Sequence, residues 1–140
     1  MAALEYLFDT SICIALFDEA DGPVRTAYRE AQLAGAQLYI SSITSFELAY
    51  GAWKSAHPHF AHHRVERFLG TQVVVLPIDY ADALVAGAIR AELNRLKEPI
   101  GPYDTLIAGQ VVARGLTLVT ANVREFSRVE GLLWEDWSRP

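Results

Sequence analysis

The chain has 140 residues, 51% of them hydrophobic, and a formal net charge of −5. This suffices for one self-sufficient domain over residues 1–140 and leaves no room for two, while the single cysteine excludes an intramolecular disulfide. The acidic balance argues against a nucleic-acid coat protein, which needs many basic contacts to phosphate, and no apolar run approaches the roughly 20 residues that span a bilayer.

In chain order, Met1 to Glu5 lacks a basic stretch followed by a long apolar one, so a cytoplasmic location is expected. Leu4 to Phe8 reads as a first strand, and Ile12 to Leu16 is an apolar stretch in which Cys13 is expected to be a buried small hydrophobe. Helical spacing of apolar residues runs over Pro23 to Ala34, Thr44 to Ala56, Phe60 to Leu69, Ala81 to Leu96 and Tyr103 to Arg114. Gln37 to Ile40, Val73 to Leu76 and Thr117 to Thr120 are short and largely β-branched or aromatic, hence strands, and Leu132 to Trp134 adds an edge strand. Gly35, Gly70 and Gly115 each close a helical stretch, where a left-handed residue is wanted. Alternating strands and helices imply a parallel central sheet covered on both faces, a three-layer α/β/α domain. Ligands of such sheets collect beyond the carboxyl ends of the strands.

Acidic residues fall at those ends. Asp9 follows the first strand, Glu47 lies in the first turn after the second, Asp104 opens the helix begun by Gly101-Pro102, and Asn122 follows the Thr117 to Thr120 strand. Each has a local alternative. Asp9 can cap a helix, Thr44-Ser45-Phe46-Glu47 matches a capping box, Asp104 suits a helix dipole, and Asn122 to Glu125 reads as a cap with a box-like glutamate. Convergence weakens these alternatives jointly, because carboxylates crowded into one crevice repel one another and a divalent cation offsets that cost. Oxygen-only ligands favour Mg²⁺ or Mn²⁺ over zinc.

Four segments, Leu7 to Ser11, Ser41 to Gly51, Gly101 to Ala108 and Val119 to Phe126, resemble in order and spacing the signature segments of VapC-type PIN-domain toxins, with the likeness continuing to Trp137. The resemblance implies a Mg²⁺- or Mn²⁺-dependent endoribonuclease, the toxin of a VapBC-type pair, that cuts a structured RNA such as tRNA and so inhibits translation. It further implies inhibition by a VapB-like antitoxin, and a homodimer within a larger toxin–antitoxin complex. Carried over, Asp9, Glu47 and Asp104 match the acidic triad. Many PIN domains have Asp where this chain has Asn122, so Asn122 and Glu125 both stand as candidates for the fourth metal contact. That departure also leaves open a PIN fold that binds RNA or protein without cutting.

Two other readings fit less well. A receiver-like switch needs an acidic pair after the first strand and a Lys after a later one, and neither is present here. A PIN-type nuclease for structured DNA carries long insertions, for which the short connections leave little room. His57, His59, His62 and His63 crowd one segment without a Cys or a ligand frame and read as a solvated loop and helix start. With Lys54, Arg64 and Arg67 they form the most basic local stretch, suited to gripping RNA or antitoxin. Trp53, Trp134 and Trp137 are expected in core or interface packing, and Thr10, Ser11 and Thr120 place hydroxyls beside the acidic rim.

Overall fold

Period-two alternation in the strands assigns residues to the two faces of the sheet. In the computed structural model, which describes residues 4–18 and 21–139, β1 (Glu5–Phe8) sends Tyr6 and Phe8 to one core and Leu7 to the other. Met1 to Ala3, part of the stretch read for a leader, lie outside the described residues. β2 (Gln37–Ser41) repeats the pattern, with Leu38 and Ile40 on the first side and Tyr39 on the second. β3 (Val73–Leu76), β4 (Thr117–Val119) and β5 (Leu133–Glu135) complete a five-stranded sheet of order β3-β2-β1-β4-β5 in which every pairing is parallel.

The first core is closed by α1 (Thr10–Asp18), α2 (Pro23–Leu33), α3 (Ser42–Trp53) and α4 (Pro58–Leu69). The second is closed by α5 (Tyr80–Arg95), α6 (Pro102–Arg114) and the single-turn α7 (Val123–Phe126). These layers give the α/β/α sandwich expected from the alternation. From β3 the chain returns through α5 and α6 to lay β4 on the far side of β1. The strand order therefore reverses between β1 and β4, where such sheets open a crevice.

Several local expectations need correction. The apolar stretch from Ile12 is a helix, α1, which buries Ile12, Cys13 and Leu16 on one side. α3 starts at Ser42, with Ser41 as its N-cap, so Glu47 lies in the second turn rather than the first. Gly35 and Gly115 do adopt positive φ, 77° and 66°, but Gly70 ends α4 in right-handed geometry at φ −78°. Trp137 packs edge-on to Tyr6 and Phe8 in the first core, whereas Trp53 is exposed and stacks on His62. Among the described residues no helix is long and apolar enough to cross a membrane.

The tightest helix pair is α5 against α6. A Cβ built on Gly109 would lie 2.5 Å from Ala86 Cβ and 2.7 Å from its Cα and N, so the two backbones meet where only glycine fits. Gly109→Ala is expected to destabilise: overpacking of this kind costs about 1–3 kcal/mol and exceeds the ~1 kcal/mol gained in helix propensity. Gly51→Ala, in α3 with nothing within 4 Å of the added methyl, is the control and should hold or raise the melting temperature. A Gly109→Ala protein that melts with the parent would show that the helices can part at no cost.

Candidate active site

Parallel pairing of β1 with β4 brings their carboxyl ends side by side, and the backbone N–H of Asp9 donates to Val119 O at 3.0 Å. Asp9 is 4% exposed. Its Oδ1 accepts from the Ile12 N–H at 2.9 Å and the Ser11 hydroxyl at 2.7 Å, which makes Asp9 the cap of α1 as one local alternative held. Capping occupies only that oxygen. Oδ2 turns the other way and accepts from the hydroxyl of Thr120, a fully buried residue that follows β4.

Glu47 does not close a capping box. Its Oε1 accepts from the Thr10 hydroxyl at 2.8 Å, with the Thr44 hydroxyl 3.3 Å from the same Thr10 oxygen. Thr10, Ser11 and Thr120, expected beside the rim, thus all bear on its acids. Thr44 was legible only as a cap residue.

Asp104 lies in the first turn of α6, after Pro102, with no side chain capping that helix. Burial raises its pKa to about 7, helped by the charges of Asp9, Glu125 and Glu47 and by a hydrogen bond with Glu125. Burial likewise pushes Asp9 up, with a contribution from the Glu47 charge, against the hydrogen bonds from Thr120, Ile12 and Ser11. The acids predicted to share a rim therefore feel one another's fields. Asn122 stands behind them: its side-chain amide donates to Glu125 Oε2 at 3.1 Å, and it makes no cap bond to α7. The carboxylate that reaches Asp104 is Glu125, oriented by Asn122.

The donor set is all oxygen, which suits a hard divalent cation, and the raised pKa of Asp104 marks the electrostatic cost that a cation would relieve. In the arrangement shown, no group of three carboxylate, imidazole or thiol side chains among the described residues is set to hold a metal ion as it stands. The oxygens of Asp9 and Glu47 face hydroxyl donors instead. The four histidines lie at the start of α4, where His62 contacts Glu66 at 3.1 Å and stacks on Trp53.

Comparison with known proteins agrees with this fold. The PIN domain profile matches residues 6–132. The tRNA(fMet)-specific endonuclease VapC of Shigella flexneri is 44% identical over 135 residues, covering 96% of this chain and 99% of that one. Its namesake from Salmonella typhimurium is 42% identical over 134 residues, covering 96% and 98%. Among solved structures, a chain of the DNA-bound VapBC complex of Salmonella typhimurium superposes with a TM-score of 0.88 at 41% identity, covering 96% of this chain and 98% of that one. A chain of VapBC2 from Rickettsia felis, bound to a promoter DNA fragment, gives 0.89 at 28% identity, covering 96% and 99%. The chain belongs to the PIN-domain family. Within that family its similarity is to the VapC ribonucleases, over nearly their whole length.

A carboxyl whose pKa rises on folding binds its proton more tightly in the native state. Stability is then fully present below the unfolded value and is lost as pH rises through the folded one. For Asp104 the window runs from about 3.8, its ordinary value, to about 7. In chelator, the melting temperature should fall as pH is raised from 5 to 8, and Asp104→Asn should flatten the fall. A parent whose melting temperature rises steadily across that range would contradict the raised Asp104.

Proposed function

We propose that this protein is the toxin of a VapBC-type pair, a Mg²⁺- or Mn²⁺-dependent endoribonuclease that cuts a structured RNA, tRNA foremost, in the cytoplasm. The observation that carries the reading is the acidic rim beyond β1 and β4, where Asp9 is held by Ser11, the Ile12 amide and Thr120, and Glu47 by Thr10, with the charges of Asp9, Glu47 and Glu125 adding to burial in raising the pKa of Asp104. The relatives named for cleavage at tRNA(fMet) support that RNA as the first substrate to try. The VapBC complexes support a VapB-like antitoxin as the partner; a toxin homodimer within a larger assembly is part of the same proposal.

Asp9, Glu47 and Asp104 would hold the ion, with Glu125 as the fourth carboxylate and Asn122 as its support. When bound, the cation acidifies water and neutralises charge gathering on the scissile phosphate. The protein's own groups fix the donors. Ser11 and the Ile12 amide hold Asp9 Oδ1, Thr120 holds Oδ2, and Thr10 holds Glu47 Oε1. With its pKa raised to about 7, the Asp104 carboxyl must give up any proton it holds when a cation binds, so affinity for the ion weakens as pH falls below that value. In-line attack of water forms a bond to phosphorus as the bond to the 3′ oxygen breaks, and that oxygen takes up a proton. The products carry a 5′-phosphate and a 3′-hydroxyl, and no neighbouring 2′-hydroxyl takes part.

Purified protein is expected to cut tRNA with Mg²⁺ or Mn²⁺ and to stop in excess EDTA. Asp104→Asn keeps the side chain's size and the start of α6, so the fold should survive while cleavage drops about a hundredfold or more. Were Asp104 only a dipole partner of α6, its loss would cost about 0.3–1 kcal/mol and leave cleavage intact. Undiminished cleavage in EDTA, or a folded Asp104→Asn with parental rates at limiting Mg²⁺, would overturn the reading.

A further inference from the structure

A rim of carboxylates repels the polyanion it is meant to cut, so an RNA substrate must be gripped elsewhere, by cations placed along its path. The protein's net charge of −5 makes any cluster of positive charge near the rim informative. One such cluster exists. Arg25 from α2 and Arg64 and Arg67 from α4 line a groove of about 460 Å³ beside the end of α1. A second groove, of about 230 Å³, runs alongside Glu47 and shares Phe17 and Arg64 with the first. The two grooves meet at Phe17 and Arg64, with Glu47 lining one and Arg25 and Arg67 the other.

The guanidinium groups are held in place rather than left to swing. Arg25 donates to Leu16 O and lies 5.5 Å over the Tyr28 ring. Arg64 donates to Phe17 O at 2.7 Å and lies 5.9 Å over Phe17. Each of these bonds uses one donor of a fork that carries five, leaving the others for a ligand. Arg64 also meets the exposed Asp18 at 3.2 Å, whereas among the described residues neither Arg25 nor Arg67 has an ion-pair partner. Capping of the last carbonyls of α1 explains the anchoring of Arg25 and Arg64. It does not explain Arg67, which makes no hydrogen bond among the described residues yet lines the same groove.

We propose that Arg25, Arg64 and Arg67 form a phosphate-gripping subsite for the RNA strand as it leaves the acidic rim. The inference rests on the RNA-cleaving function proposed above. Planar forks with spare donors match phosphate oxygens, and a strand crossing the Glu47 groove brings further phosphates to them in sequence. An acidic protein segment would satisfy the same charges. RNA is favoured because Glu47, one of the acids that would cut it, lines the adjoining groove.

Arg67→Gln removes the one arginine without a structural anchor, and a melt matching the parent's verifies its fold. Binding of mixed tRNA is measured at several salt concentrations in an Asp104→Asn background, which prevents cleavage. Arg67→Gln should weaken binding roughly three- to tenfold and lower the salt slope by about 0.7–0.9, the loss of one phosphate contact. Arg67→Lys should restore much of the slope. Arg90→Gln, an equal charge change on α5 in the opposite layer, should leave it alone. An unchanged slope for Arg67→Gln, or an equal loss for Arg90→Gln, would overturn the subsite. So would weaker capture of a polyglutamate peptide with tRNA affinity intact, which would assign the groove to a protein partner. Cleavage of mixed tRNA with Asp104 restored separates the two readings. If the parent and Arg67→Gln cut equally well, only the subsite falls; if the parent does not cut, the proposed function falls and the subsite with it.

Discussion

Like charge gathered at the carboxyl end of a parallel sheet is the constraint around which this molecule is arranged. β1 and β4 run side by side, so whatever follows each strand is brought together, and here Asp9 meets Thr120. A carboxylate only 4% exposed persists because both its oxygens accept hydrogen bonds: Oδ1 from the Ile12 amide and the Ser11 hydroxyl two residues on, and Oδ2 from a hydroxyl 111 positions away. The same residue starts α1, whose first side chain, Thr10, then fixes Glu47. One buried acid thereby couples two strands, a helix start and a second acid.

Asp104 reaches the rim by a different route, since the helix that carries it must be held against its neighbours. α6 lies directly on α5 at Gly109 and Ala86, where only the Ala86 methyl separates the backbones. Gln110 donates to Leu76 O at 3.0 Å, which joins α6 to the end of β3. Arg114 reaches the buried Asp82 at 2.8 Å and Pro77 O at 2.9 Å. A half-buried ion pair of this kind adds little net stability over an apolar pair, because desolvating Asp82 offsets much of the attraction. Its effect is to hold the register and tilt of the helix, and both determine how far Asp104 stands from the other acids.

Charge is partitioned across the first layer. Acids collect beyond β1 and β4, while the arginines of α2 and α4 collect at the end of α1, whose last carbonyls attract them. α1 thus has one pole facing each set, an acid cap at its start and guanidinium groups at its end. A short helix between two charged regions gives a polyanion a path with one cutting end and one holding end, although the protein as a whole is negative.

Much of this was legible in the sequence because it is governed by local spacing. Period-two and helical patterns located all five strands and most helices, and strand ends marked Asp9 and Asn122, since a residue that follows a strand must project at its edge. The extent of α1 was not placed from the sequence, beyond Asp9 as a possible cap, because a run that is apolar on nearly every residue does not distinguish helix from strand. The start of α3 was also misplaced: Ser41 both ends a strand and caps a helix, leaving no gap to signal the change. The family resemblance left Asn122 and Glu125 both as candidates for the fourth site residue. Only the folded chain turned the amide of Asn122 toward Glu125 and set Glu125 against Asp104. Arg25 could not be grouped with Arg64 and Arg67 from the sequence, being 39 residues from the nearer of them. Repetition along one chain determines which residues form strands and helices, whereas shared electric fields and clustered guanidinium groups depend on distances between remote segments, which only packing sets.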